Sequence, residues 1–293
     1  MSTRLLIGDR AYSSWSLRAW LICEVSGLEY EVETTRFYCD AFHDSLDDYA
    51  PARTLPVLKL ANGTIVADSL AIAEELAQRH PDAGLWPSDP DARAVARMIT
   101  AEMHASFTAL RSACPMNLRV AYSDFPASDG VLADLARIEA LWDHARTFCR
   151  EEGPWLFGHY TIADAFYAPV AARIAGYGLP LGSFAAKYVA RHLAHQPFRQ
   201  WRAMGLVDGP DQPTYAMPHA TRAWPGPKPA LASVSPSGPS VNESCPFTGK
   251  RVEHFLLFDG AIYGFASAFD RDKTAADPEA WPEFMRLTAD RSP

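Results

Sequence analysis

Three short pairs of residues have the types and order to form one binding site. The first is Ser13-Ser14 in "YSSWSLRAWL", where a short apolar run hands over to a helical pattern. A hydroxyl at a helix start is suited to holding a thiolate. Bringing a thiol from its ordinary pKa of about 8.5 down by roughly two units takes ~2.7 kcal/mol. A hydrogen bond to a charged acceptor supplies ~1.5–3 kcal/mol, and the helix N-terminus adds roughly 0.3–1 kcal/mol. The second pair is Leu55-Pro56 in "TLPVL". Proline cannot donate to a strand ladder, and a cis bond there would leave the Leu55 N–H and C=O free for a peptide-like ligand. The third is Asp68-Ser69 at the head of another helix, where Ser69 could hold a carboxylate and Asp68 an ammonium. Each pair also has a purely structural reading, as a helix cap or an edge-strand proline. It is their succession that points to a site.

These pairs need a scaffold, and the first 80 residues supply one. "RLLIG" reads as a buried strand, and "SWSLRAWLICEVSG" as a helix ending at Gly27 in a left-handed turn. "EYEVETTRF" reads as a strand, "TLPVLKLANGTIVADS" as a hairpin around Asn62-Gly63, and "DSLAIAEELAQRH" as a helix. The β-α-β then β-β-α order predicts a small four-stranded α/β domain over residues 1–80. Residues 88–207 read as an all-helical domain, with one long pattern over 91–119, a second over 131–153, and a third opened by an N-terminal capping signal at Thr161 and Asp164. Nine prolines fall between 208 and 246, so 208–244 is expected to be an extended linker. A small unit over 245–293 follows, with a hairpin around Asp259-Gly260 and a short helix near "DPEAWPEFMRL".

The bulk numbers narrow the class. A net charge of −8 argues against nucleic-acid or anionic-membrane binding. No run of eighteen apolar residues exists for a membrane span, and the start lacks a signal-peptide core. Five scattered cysteines without a CxxC suit reduced thiols in the cytoplasm.

Taken in order, "YSSWSLR", "APARTLPVL", "VADSLAIAEEL" and "YTIADAFYAP" resemble the glutathione S-transferase superfamily over residues 1–207. The serine-rich first helix is most similar to the serine-type classes, zeta and theta and related bacterial branches. The resemblance implies a thioredoxin-like N-terminal domain, a helical-bundle C-terminal domain and glutathione as co-substrate. Ser14 or Ser13 would then hold the thiolate, the register leaving both open. Leu55 and Pro56 would present backbone to the cysteinyl unit, and Asp68 and Ser69 would hold the γ-glutamyl end. Thr54 stands where many relatives carry lysine, which leaves Arg53 for the glycine carboxylate. Cys23, in mid-helix, does not match a catalytic cysteine. Tyr12, Met103, His104, Phe107 and Arg111 are the candidates for the second-substrate pocket, Met103, Phe107 and Arg111 falling at i, i+4, i+8, with Arg119 nearby. The implied activity is transfer of glutathione to a small electrophile, as in detoxification, with a homodimer as the implied assembly. A glutathione-dependent peroxidase or thiol reductase, and a non-catalytic scaffold binding a partner protein, are the alternatives.

The tail resembles the small zinc-binding modules of the YHS kind, in "CPFTGK", "GAIYGFA" and "DPEAW". Only Cys245 stands at a ligand position, with Ala266 and Asp270 where later cysteines belong. Cys245, Asp270 and His254 would make at most a poor three-ligand site. The expectation is a small α+β extension without metal.

Overall fold

The computed structural model describes residues 2–39 and 41–289. Residues 1, 40 and 290–293, which the expected first and last domains include, lie outside the described residues. The chain divides into two compact units. One runs through Leu193 and adds Asp211–Pro225, and the other joins Ala194–Pro210 to the chain from Gly226 onward.

The first unit opens with β1 (Arg4–Ile7), α1 (Ser14–Ser26), β2 (Glu31–Thr34), the one-turn α2 (Ala41–Asp44), β3 (Val57–Lys59), β4 (Ile65–Ala67) and α3 (Ser69–Arg79). Its sheet has the order β2-β1-β3-β4, with β1 parallel to β2, and β3 antiparallel to both β1 and β4. This is the thioredoxin-like arrangement expected. Leu5 and Ile7 of β1, Leu17 and Leu21 of α1, and Ile72 and Leu76 of α3 are all fully buried, each contributing roughly 1.5–3 kcal/mol by leaving water. α1 ends where the sequence places its stop, with Gly27 at φ 69°.

The helical part comprises α4 (Pro90–Ala105), α5 (Thr108–Ala113), the short strand β5 (Ala121–Tyr122), α6 (Asp129–Thr147), α7 (Ile162–Tyr177) and α8 (Ser183–Ala194). Every residue of α7 is buried, as befits a helix that is apolar all round. Its start is a capping box, in which Asp164 accepts from the Thr161 N–H at 2.8 Å. Asp164 also accepts from the Tyr188 hydroxyl at 2.7 Å and the Leu156 N–H at 3.1 Å. The single long helix expected over 91–119 is instead two. Phe107 breaks it with a left-handed backbone at φ 61°, and Pro115 follows the end of α5, where a helix interior would lack a donor.

The second unit contains α9 (Gln196–Val207), which the sequence had grouped with the helical domain. β6 (Thr221–Arg222) belongs to the first unit, paired antiparallel with β5. In the second unit, β7 (Ala232–Ser235), β8 (His254–Phe258) and β9 (Ala261–Phe265) form an antiparallel sheet. α10 (Ala268–Ala276) and α11 (Pro282–Ala289) complete it. Asp259 and Gly260 both take positive φ, at 46° and 72°, as a two-residue hairpin turn requires. The segment read as a linker therefore carries strands in two places and a 3-10 turn over Pro213–Tyr215. "TR" and "ASVS" pair as strands, and the prolines around them hid strands short enough to need few donors.

Cys245 is buried. Burial pushes its thiol up, but hydrogen bonds from the Thr248 hydroxyl and the N–H groups of Ala266, Phe247 and Thr248 outweigh it and hold it below the ordinary thiol value. Asp270 is committed to the Lys273 ammonium at 2.8 Å and the Ser267 hydroxyl at 2.9 Å. Lys273 lies over the rings of Phe247 and Trp281, at 3.9 and 4.5 Å. Among the described residues no group of three His, Cys, Asp or Glu side chains could hold a metal ion. Of the Cys245, Asp270 and His254 set, Asp270 is engaged inside the fold by Lys273 and Ser267.

Candidate active site

The α1 start separates the two serines by hydrogen bonding. The Asp9 carbonyl accepts from the Tyr12 and Ser13 N–H groups at 3.1 and 2.8 Å, turning the chain into the helix. Ser13 is the N-cap. Its Oγ accepts from the Ser16 N–H at 3.3 Å and donates to Ser16 Oγ at 2.7 Å. Ser16 Oγ also accepts from the Gly8 N–H at 3.1 Å. The Ser13 hydroxyl is therefore spent on local structure. Ser14 is the first helical residue, and its Oγ accepts from Arg173 Nη2 at 3.4 Å. A hydroxyl has one proton to give, and that of Ser14 stays available.

Both serines line a cavity of about 1000 Å³, within the range of small-molecule sites. Tyr12, Arg53, Leu55, Asp68 and Arg111 line it too. The Leu55–Pro56 peptide bond is cis, and β3 begins two residues after Leu55, at Val57. Asp68, at φ 79°, caps α3 by accepting from the Leu70 N–H at 2.7 Å. Pro56 and Ser69 do not line the cavity. Ser69 is fully buried and its Oγ has no hydrogen-bond partner among the described residues, an arrangement that costs free energy until a partner arrives.

Three of the second-substrate candidates lie elsewhere. Met103 is fully buried in the helical core and Phe107 nearly so, because the break at Phe107 ends the helical face on which they were to align with Arg111. His104 sits behind Asp68, with Nε2 3.4 Å from its Oδ2, and its ring meets Trp15 edge-on at 5.0 Å. Arg111 does line the cavity, with its guanidinium 4.9 Å from the Trp15 ring. Arg119 pairs with Asp211 at 2.6 Å and does not line it.

Other walls escaped the sequence reading. Phe37 is fixed because the Asp9 carboxylate accepts from its N–H at 2.7 Å and from Arg36 at 2.9 Å. A Cβ at Gly8 would overlap the Phe37 ring, so the close approach needs glycine there. Thr214 and Tyr215 also line the cavity, from within the segment read as a linker. Tyr215 packs on Tyr12, ring centroids 4.7 Å apart. The Tyr12 hydroxyl accepts from the Gln212 N–H at 3.1 Å. Burial, then a hydrogen bond with Tyr38, pushes the Tyr215 hydroxyl up to about 12. No pattern in "PDQPTYAMP" announces this role. Arg173 sat in an apolar helix and offered no signal either.

The charge of the site opposes that of the chain. Arg53, Arg111 and Arg173 line the cavity against Asp68, the one acidic side chain among the described lining residues. Arg18 lies buried beneath it, over Trp15 and Phe166 at 4.6 and 4.9 Å, and its Nε and Nη1 have no hydrogen-bond partner among the described residues. Burial, then repulsion from Arg173 and Arg111, pushes Arg18 down to about 9. Burial, then Arg111, pushes Arg173 down to about 10. A chain of net charge −8 thus presents a cationic pocket.

Known proteins resemble this chain in part. Residues 12–79 match the family described as "Glutathione S-transferase, N-terminal domain". A probable maleylacetoacetate isomerase of Caenorhabditis elegans is 34% identical over 91 residues, 31% of this chain and 41% of that protein. The rat maleylacetoacetate isomerase is 33% identical over 94 residues, 31% of this chain and 42% of that one. The chain spans about two fifths of the length of the curated relatives it matches. Among solved structures, a Burkholderia glutathione transferase homolog with bound glutathione superposes with a TM-score of 0.51 at 23% identity, covering 69% of this chain and 97% of that one. A Sulfitobacter glutathione transferase homolog, also with bound glutathione, gives 0.51 at 20%, covering 70% and 99%. The fold is that of glutathione transferases.

Proposed function

We propose that this chain is a glutathione-dependent transferase that activates the glutathione thiol for attack on a small electrophile. The observation carrying the reading is that one cationic cavity gathers Ser14, Leu55 and Asp68, three groups suited to a thiolate, a peptide backbone and an ammonium. In this reading the Ser14 proton faces the sulfur. The start of α1 adds its partial positive charge, and the ionised thiol attacks an electrophile held between Tyr12, Arg111 and Tyr215. Leu55 pairs with the cysteinyl backbone, Asp68 takes the γ-glutamyl ammonium, and Arg53 reaches the glycine carboxylate. Catalysis is thiolate activation plus proximity. No cysteine lines the cavity among the described residues, and burial pushes the Cys23 thiol far up. Both facts weigh against disulfide exchange through a protein cysteine. The resemblance further supports a cytoplasmic homodimer active in detoxification, and a tail of YHS-like fold without metal.

The test is calorimetric titration with glutathione, followed by rates on a panel of an aryl halide, an epoxide, an α,β-unsaturated ketone and a hydroperoxide. Binding with turnover of a carbon electrophile is expected. Absence of glutathione binding would overturn the reading, and turnover of the hydroperoxide alone would replace it with a peroxidase.

A further inference from the structure

We infer that Arg173, from α7 of the helical part, is the positioning residue that turns the Ser14 hydroxyl toward the bound thiol and supplies the nearby positive charge that favours its ionisation. This rests on reading the cavity as a glutathione site. Arg173 is 7% exposed and its fork is held on two sides. Nε donates to the Cys114 carbonyl at 2.9 Å and Nη1 to the Pro169 carbonyl at 3.3 Å. Nη2 is left to reach Ser14 Oγ at 3.4 Å. A guanidinium has only donors, so Ser14 Oγ is the acceptor in this contact and keeps its proton for another partner. The distance is long, as such contacts commonly are before a ligand closes the site.

The partners of Arg173 decide its effect. Two are neutral carbonyls and the third a neutral hydroxyl, and among the described residues no carboxylate forms an ion pair with it. Its charge is thus open to whatever anion enters beside Ser14. Arg173 and Arg111 line one cavity with Ser14, so a sulfur there acquires a cation that the helix end alone does not provide.

The groups facing Arg173 are Arg18 from α1, Arg111 and Cys114 from α5 and its end, Tyr177 on its own helix, and Tyr215, with Asp68 beyond Arg18. Burial pushes Cys114 up to about 12 and Tyr177 up as well, so these do not change charge near neutrality. His104 does titrate on the acid side, lowered from its ordinary 6.5 by burial. Arg18, pushed down to about 9, changes charge on the alkaline side, so the profile is read from about pH 5 to about pH 8 and repeated in His104→Gln, which removes the acid-side group.

Ionisation of glutathione bound to the full chain is followed by thiolate ultraviolet absorbance against pH, with the S-methylglutathione complex as blank, so no electrophile is needed. Arg173→Met is expected to raise the bound thiol's pKa by about one unit, an about tenfold smaller thiolate fraction on the acid side. The two proteins should converge to the same thiolate fraction at high pH; glutathione affinity should differ by no more than about twofold where the bound thiol is protonated, and by up to about tenfold where it is ionised, as linkage requires. Arg173→Lys should recover most of the shift. Arg173→Gln, which keeps a donor for the Cys114 carbonyl, serves if the methionine variant does not fold, and the same shift is expected. An unshifted titration in a variant that folds and binds glutathione overturns the inference alone. Failure of the wild-type chain to bind glutathione overturns the functional reading instead.

Discussion

Lys273 in the second unit and Arg18 and Arg173 in the first are buried cations handled in opposite ways. The Lys273 ammonium meets Asp270 at 2.8 Å and lies over the rings of Phe247 and Trp281. Its charge is answered inside the fold. Arg18 and Arg173 form no ion pair with a carboxylate among the described residues, and both are pushed down, first by burial and then by neighbouring guanidiniums. Burying an unmatched charge is costly, and a fold retains such an arrangement where an outside anion completes it. The tail core is electrostatically closed, whereas the cavity is left open.

Substitutions can break this comparison, starting where the effect is largest. Phe284 is fully buried, with the rings of Phe258, Tyr263 and Phe265 within 5.9 Å. Phe284→Ala should cost about 3–5 kcal/mol in denaturant unfolding yet leave glutathione affinity within about twofold; an equal loss of affinity would dissolve the distinction between the regions. Next come the serines. Ser14→Ala removes a hydrogen bond to a charged acceptor, about 1.5–3 kcal/mol, and should slow conjugation at neutral pH by roughly ten- to a hundredfold with little change in stability. Ser13→Ala removes a cap and should do the reverse, costing about 1 kcal/mol of stability at a near-normal rate. If the two results exchange, Ser13 holds the sulfur. The smallest effect is that of His104. Burial lowers its pKa even beside Asp68, so the unfolded chain takes up this proton first as pH falls. The contribution is fully present above about pH 6.5 and is lost on acidification toward the lower folded value. His104→Gln should flatten the stability profile in that window, and a steeper profile would contradict the assignment.

Local signals carried most of the first 80 residues. Apolar runs placed β1 and α1, Asn62-Gly63 placed the β3–β4 hairpin, and Gly27 marked the end of α1. The capping box at Thr161 was equally local, since its partners lie three residues apart. What escaped the sequence depends on contacts distant along the chain. The Arg173–Ser14 pair spans 159 residues and the Tyr12–Gln212 contact 200. Ser13 and Ser14 could not be ranked without knowing that Ser16 takes one hydroxyl and Arg173 addresses the other. The break at Phe107 was missed because periodicity continued across it. The strands at 221–222 and 232–235 were hidden by proline-rich composition, which reports chain stiffness rather than pairing.

The order in which the chain visits its two units has a practical consequence. It leaves the first at Leu193, returns at Asp211 and departs again after Pro225. Neither unit is a continuous stretch of sequence, so no single proteolytic cut releases either one intact. A fragment ending at Val207 would keep Ser14, Leu55, Asp68 and Arg173 but lose Thr214 and Tyr215, and would carry α9 without the core it packs on. Truncation at Val207 would therefore yield an altered cavity and an orphaned helix, not a minimal folded unit.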